Sequence, residues 1–427
     1  MTEVLILGGG IAGLAAASTA RSLGISAVVL EAAPRPGGIL DSFALDGFVF
    51  DRGVHLSFAS EPEVREVFDQ TPYLEHEAVS FCWDHGNWLR HPVQNNLHSL
   101  PAEERIRLIL GLVNQPELTI RTYRDWLIGQ YGSPIAERWP LVYTEKYWTV
   151  PAETMGTDWI GPRMRRADLA EVLRGALSER VANTYYISRM RYPRRGGYRA
   201  FIDPLIETAD VRCRRRVVAV DPRAREVRDN TGETWRYQRL LSTLPLPALI
   251  DLLADVPDDV RADAATLFAT RADLISVAFS RPVVPPSLWF YIYDRDIFAA
   301  RAYSPTWKSV ENAPPGCGAL QFEIYSSPRT PQKATVAELT ENCLNALERM
   351  GLAKRDEVLF THHTDMPYAN VVFDLGMETR RDRVRRWVQG LGIGLAGRYG
   401  EWAYLWSNQS LVSGRRAILT LLGDRQT

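Results

Sequence analysis

Cysteine is scarce: four residues in 427, at Cys82, Cys213, Cys317 and Cys343, with no Cys-x-x-Cys pair among them. Such spacing builds neither a zinc site nor a disulfide framework, and it suits a reducing compartment. Net charge is nearly absent as well, since 50 basic and 51 acidic residues leave −1 at neutral pH. A chain without a basic surplus is not expected to bind nucleic acid. Attraction to an anionic ligand must then come from local clustering. No apolar run approaches the length of a membrane span, and the chain starts straight into a strand without a signal-like segment. A soluble, cytoplasmic protein is expected.

Catalytic signatures are missing too. There is no HExxH, no phosphate-binding loop and no Ser-His-Asp spacing. His362 and His363 are adjacent in an expected strand, so their rings would point to opposite faces and suit a metal poorly. The basic runs Arg163–Arg166, Arg212–Arg216 and Arg380–Arg386 are balanced by acidic neighbours and read as solvated faces.

What the chain does have is a nucleotide-binding start. Residues 3–7 read as a buried parallel strand, 11–23 as an Ala- and Leu-rich helix and 26–31 as a second strand, a βαβ unit. Between them Gly8-Gly9-Gly10-Ile11-Ala12-Gly13 fits GxGxxG. Gly8 permits the tight turn, Gly10 lets backbone approach a pyrophosphate, and Gly13 allows close helix–strand packing. The amides of Ile11 and Ala12 open the helix, where the dipole favours an anion. Glu31 ends the second strand, where its carboxylate can accept hydrogen bonds from ribose hydroxyls, and its charge argues against a 2′-phosphate. Arg35-Pro36-Gly37-Gly38 follows. This Glu-x3-Arg-x-Gly-Gly extension is the habit of flavoproteins, so the expected cofactor is non-covalent FAD.

Beyond the βαβ unit the expected class is α/β: a Rossmann-type FAD-binding domain with a parallel sheet, an inserted helical region and a β-rich substrate domain. The FAD domain is expected from residues 1–58, 194–270 and 362–427, the helical insertion from 59–193, and the substrate sheet from 271–361. Helical patterns cover 103–113, 121–131, 167–180 and 335–350, with a closing helix from about 410. Strands are expected at Val217–Val220, Arg239–Leu244, 274–280, 288–293 and 318–325. Val218 is counted with the cofactor-contacting positions.

Several later segments carry a resemblance. Phe48-Val49-Phe50-Asp51-Arg52-Gly53-Val54-His55 resembles an F-D-x-G-G-H loop, with Val54 in place of the second glycine. Tyr143–Trp148 with Val150-Pro151 is similar to Y-x-x-K-x-W-x-x-P, and Trp159–Arg163 to W-L-G-E-R. Met190–Tyr198 resembles F-R-F-P-x-x-G-G. Gly397-Arg398-Tyr399-Gly400-Glu401-Trp402-Ala403-Tyr404 with Asn408-Gln409 resembles G-R-F-G-x-W-x-Y-x-x-x-N-Q. Together these look like the flavin amine oxidase and protoporphyrinogen oxidase superfamily, and within it the UDP-galactopyranose mutases.

The resemblance implies that His55 sits beside the flavin and that Gly397, Arg398, Asn408 and Gln409 contact it. It implies that Arg191, Arg301 and Tyr404 hold a substrate diphosphate, with Asn408 near the sugar. Tyr368 is a further candidate substrate tyrosine, whereas Trp148 suits core packing. The implied activity is a pyranose–furanose mutase on a nucleotide-diphosphate sugar, with reduced flavin N5 as nucleophile. The alternative is an oxidoreductase taking hydride from its substrate. NAD(P)H from solution is the expected reductant for a mutase, on the reading that the first GxGxxG stands alone.

Overall fold

The structure is a computed structural model, which describes residues 1–115, 117–161, 164, 168–179 and 187–423. Arg163, Arg165 and Arg166, and both ends of the helix expected at 167–180, lie outside the described residues.

The strand Thr2–Leu7 is fully apolar over its last four residues and buried there, as a strand flanked on both faces must be. It lies at the centre of a parallel set. Ala27–Leu30 and then Asp210–Arg212 flank it on one side, Thr234–Ser242 and then Ile393–Leu395 on the other. An antiparallel meander, Val217–Asp221 and Glu226–Asp229, extends from Thr234–Ser242. The helix Ile11–Ser22 crosses from the first strand to the second. Its alanines let the closing helix Ser407–Gly423 approach closely: a Cβ on Gly414 would lie 2.1 Å from the Ala12 carbonyl oxygen.

A second sheet faces the first across a cleft. Its strand order is Val358–Met366, Arg271–Phe279, Gly318–Ser326, Arg301–Tyr303, Trp289–Ile292, Phe81–Asp84 and Asn87–Arg90. Only the Trp289–Ile292/Phe81–Asp84 pair is parallel. Short helices at Ala102–Val113, Tyr123–Tyr131, Ser133–Arg138, Pro140–Tyr147 and Leu169–Leu177 cap one end.

Two expected boundaries differ. The segment 59–193 is not purely helical, because Phe81–Asp84 and Asn87–Arg90 complete the substrate sheet and Tyr73–Glu77 pairs with Arg189–Pro193. The strand Val358–Met366 crosses the boundary expected at 362, since it is a full partner of Arg271–Phe279. Hydrophobic period within one segment does not say which sheet an edge strand joins.

Candidate active site

Between the two sheets lies a cavity of about 730 Å³. Its inner end is the glycine turn. Gly8 has φ +101°, and the Thr243 hydroxyl stands 2.4 Å from where its Cβ would be. A Cβ on Gly13 would lie 2.0 Å from the Gly8 carbonyl oxygen, so only glycine allows this helix–strand approach. Gly10 differs: a Cβ there meets no protein atom within 4 Å, yet the residue lines the cavity. The backbone there is open to the cavity, so a ligand can approach it closely. Gly10 caps the helix with no side-chain hydrogen bond, and the first-turn amides of Ile11 and Ala12, which line the cavity, have no intrahelical partner.

Glu31 closes the adenosine side. One carboxylate oxygen accepts the Gly9 N–H at 2.7 Å, the other the Ala33 N–H at 2.7 Å. The Arg-Pro-Gly-Gly turn is laid alongside, with the Gly37 N–H donating to the Gly9 carbonyl at 2.9 Å. A Cβ on Gly38 would be 3.3 Å from the Gly10 Cα. Arg35 lines the same wall, donating to Asp41 at 2.9 Å and to the Ser42 carbonyl.

The loop Asp51–His55 forms the next part of the wall and is stitched to the second sheet. The Gly53 N–H donates to Gln321 at 3.1 Å and the Val54 N–H to Glu323 at 2.6 Å. His55 lies 5.3 Å from the Tyr198 ring, its Nδ1 3.2 Å from the Gly53 carbonyl. Burial pushes its pKa down to about 4, against the smaller pull of Asp51 and Glu323, so the ring is neutral at pH 7.

Opposite the glycine turn the wall is aromatic. Arg301 is set among Tyr147, Tyr325 and Glu323: it pairs with the Glu323 carboxylate, donates to the Tyr325 hydroxyl at 3.1 Å and lies 5.2 Å over the Tyr147 ring. Burial alone would raise the Glu323 pKa, but the Arg301 charge and the Tyr325, Arg301 and Val54 hydrogen bonds outweigh it and hold the carboxyl low. Tyr404 joins this wall, with Arg398 5.1 Å over its ring and Trp148, a buried core residue, 5.3 Å away. Gly397, with φ +78°, lets the chain turn against Ala12, where its own Cβ would come to 2.7 Å. Arg398 also donates to the Leu405 and Ala369 carbonyls. Tyr368 lines the cavity as well.

Thus Gly8, Gly10, Ile11, Ala12, Glu31, Arg35, Gly37, Gly38, His55, Arg301, Gly397, Arg398 and Tyr404 all reach one cavity. Five expected residues do not. Gly13 packs against the Gly8 carbonyl behind the wall. Arg191 points away because Met190, its neighbour on the strand, takes the cavity side. Its guanidinium donates to the Ala59 carbonyl at 2.9 Å, sits 3.5 Å from Glu75 and lies over Tyr73. Val218 is 44 % exposed on the antiparallel meander, away from the cavity wall. Asn408 is buried against Glu61, donating to it at 2.7 Å, while Ser407 and Ser410 take the wall positions. Gln409 accepts the Trp406 N–H at 3.0 Å.

Two further points correct the sequence analysis. GxGxxG spacing recurs at Gly392-Ile393-Gly394-Leu395-Ala396-Gly397, so the first motif does not stand alone. The second run contains the strand Ile393–Leu395 within it, where the first lies in the turn between strand and helix, so it forms no cradle of that kind. The Glu323 and Gln321 side chains were missed. Their signal was two polar residues inside the otherwise apolar strand Gly318–Ser326, buried throughout.

A glycine cradle at a helix start, an acid beside it and a second glycine turn laid across it define a dinucleotide-binding flavoprotein, and the space at Gly10 fits FAD. The chain belongs to the family of flavin-containing amine oxidoreductases, which it matches over residues 11–417. Its fold is that of reduced UDP-galactopyranose mutase, with a TM-score of 0.94 at 24 % identity over 100 % of this chain and 97 % of that one. A putative protoporphyrinogen oxidase from Exiguobacterium sp. 255-15 superposes with a TM-score of 0.75 at 18 % identity, covering 99 % of each chain. In sequence, coproporphyrinogen III oxidase of Mycobacterium tuberculosis is 22 % identical over 422 positions, covering 90 % of this chain and 86 % of that protein. Protoporphyrinogen oxidase 2 of Arabidopsis thaliana is 39 % identical over 101 residues, which span 24 % of this chain and 20 % of that protein. Among the described residues no helix is long and apolar enough to cross a membrane.

Proposed function

We propose that the protein is a pyranose–furanose mutase acting on a nucleotide-diphosphate sugar, with UDP-galactopyranose as the first substrate to test. The observation that carries this is Arg301, a guanidinium fixed in the cavity wall among tyrosines and opposite the glycine cradle. A planar cation ringed by phenols suits a diphosphate attached to a hydroxyl-rich sugar. Likeness of fold to a mutase supports the reading without deciding it, because one fold hosts several chemistries.

Bound FAD supplies the nucleophilic and redox chemistry that no side chain here provides. The chain's own residues do the rest. Gly8, Gly10 and the amides of Ile11 and Ala12 would hold the cofactor pyrophosphate, and Glu31 would take the ribose. Arg301, with Tyr404 beside Arg398, binds the substrate diphosphate and stabilises charge as it develops on the leaving group. Neutral His55 presents a hydrogen-bonding ring at the cofactor edge without adding charge. NAD(P)H from solution serves as the external reductant.

Dithionite-reduced holoenzyme should convert UDP-galactopyranose to the furanose form without net consumption of reductant, resolved by chromatography of the nucleotide sugars. A second reading, an oxidoreductase taking hydride from its substrate, is favoured by the apolar patch of Phe58, Trp289, Tyr291 and Trp406 on the wall and by the two porphyrinogen oxidase relatives. It wins if oxidised enzyme consumes oxygen with coproporphyrinogen III and reduced enzyme leaves the nucleotide sugar untouched.

A further inference from the structure

Behind the loop that carries His55 lies a buried ion pair that no step above uses. Lys308 is 0 % exposed and donates from Nζ to Asp51 Oδ2 at 2.8 Å; Asp51 is 1 % exposed. Three more donors complete the carboxylate: the Tyr192 hydroxyl at 2.9 Å, the Ser42 hydroxyl at 2.7 Å and the Tyr198 N–H at 2.8 Å. The ammonium also lies 3.7 Å over the Tyr303 ring and 5.0 Å over that of Tyr192. Tyr303 in turn accepts the Asp51 N–H at 3.2 Å.

Each of these contacts reaches a different part of the cavity wall. Asp51 is followed at once by Arg52, Gly53, Val54 and His55, all of which line the cavity. Ser42 adjoins Asp41, another wall residue, and the Tyr198 ring lies against His55. Lys308 follows the second sheet's strand Arg301–Tyr303, whose first residue is the wall cation. A lone ion at this depth would be costly, whereas a matched pair with its lone pairs filled is tolerated. Such a pair contributes little net stability over apolar packing, so stability alone does not account for it, and the field it sets or the geometry it holds becomes its candidate role.

We propose that Lys308 and Asp51 are positioning residues for the bound flavin: the pair fixes the Asp51–His55 loop and, by cancelling charge directly behind it, sets the potential felt by the isoalloxazine and by His55. In support, Asp51 pulls the His55 pKa up and Lys308 pushes it down, the two leading influences after burial. The proposal rests on flavin binding alone and holds for either substrate class.

The test is the midpoint potential of the bound flavin, from dye-coupled dithionite titration of purified holoenzyme. Asp51→Asn leaves an uncompensated cation, which favours the more negative reduced flavin, so the potential should rise. Lys308→Met leaves an uncompensated anion and should lower it. The double variant Asp51→Asn/Lys308→Met should return toward the wild-type value. Ser42→Ala and Tyr192→Phe remove neutral donors to the same carboxylate and should leave the potential where it was. Shifts of one sign in both single variants, or none in either, would overturn the proposal and leave a purely structural pair. Where a single variant purifies without flavin, the double variant decides. Recovery of a yellow protein with the wild-type potential supports charge cancellation, and a double variant as defective as the single overturns it.

Discussion

Arg301 and Glu323 stand directly opposite each other on neighbouring antiparallel strands, and the carboxylate, 1 % exposed, takes the guanidinium on one oxygen and the Val54 N–H on the other. The Asp51–His55 loop and the cation of the cavity wall therefore share one anion. A change at either residue acts on both.

Arg301→Met should raise KM for a diphosphate-bearing sugar about tenfold to a hundredfold, the equivalent of the roughly 1.5–3 kcal/mol of a hydrogen bond to a charged group. Steady-state kinetics on flavin-saturated enzyme measures it. An unchanged KM would remove Arg301 from substrate binding.

Glu31→Ala should weaken FAD by about 1.5–3 kcal/mol, read by calorimetric titration of the apoprotein. Part of the loss comes from the Gly9 and Ala33 amides, which the carboxylate now holds in place. Equal affinity in the variant would show that the ribose end is held elsewhere.

Arg191→Ala should leave KM for the sugar nucleotide unaltered and lower stability by about 1 kcal/mol, because its guanidinium braces the Ala59 carbonyl and Glu75 outside the cavity. A large KM effect with normal stability would place the guanidinium at the substrate after all.

Acid should destabilise the protein through its buried histidines. Burial pushes both His55 and His91 down to about 4 from the ordinary 6.5, so between those values the unfolded chain binds protons that the native one refuses. Stability then rises with pH across this window and is lost as pH falls from about 6.5 to about 4, by at most about 1.4 kcal/mol per pH unit for each histidine. Urea midpoints at pH 7 and pH 4.5 should converge in His55→Gln relative to wild type. An equal pH slope in the two would rule His55 out as a source.

Gly197→Ala should be among the most damaging single-methyl additions, costing about 2–4 kcal/mol. Its φ of +71° disfavours any side chain, and the Cβ would fall 2.3 Å from the Ser42 hydroxyl and 2.9 Å from Asp51 Oδ1. Thermal melting of the variant alongside Gly196→Ala, whose Cβ meets only the Ala200 methyl at 3.4 Å, separates crowding from φ.

The βαβ unit and its glycines were legible because local chemistry dictates them: a tight turn, a helix start and an acid at a strand end lie within thirty residues. His55, Arg398 and Tyr404 were reachable through resemblance of short segments. Arg191 was not, since strand alternation decides which of two adjacent side chains faces a cavity and Met190 took that place. Lys308 and Glu323 escaped because their partners, Asp51 and Arg301, lie 257 and 22 residues away. Pairings of that kind are set by how the sheets pack, which no local period records.

The parallel sheet that carries the glycine turn takes its strands from residues 2–7, 27–30, 210–212, 234–242 and 393–395, and the first helix is braced by the last, with Gly414 against Ala12. A chain emerging from the ribosome therefore carries its glycine turn for most of its synthesis without the helix that supports it. Cofactor capture becomes a late event, coupled to completion of the fold. Proteolysis or truncation near residue 410 should then release flavin, even though no cut touches a residue of the glycine turn.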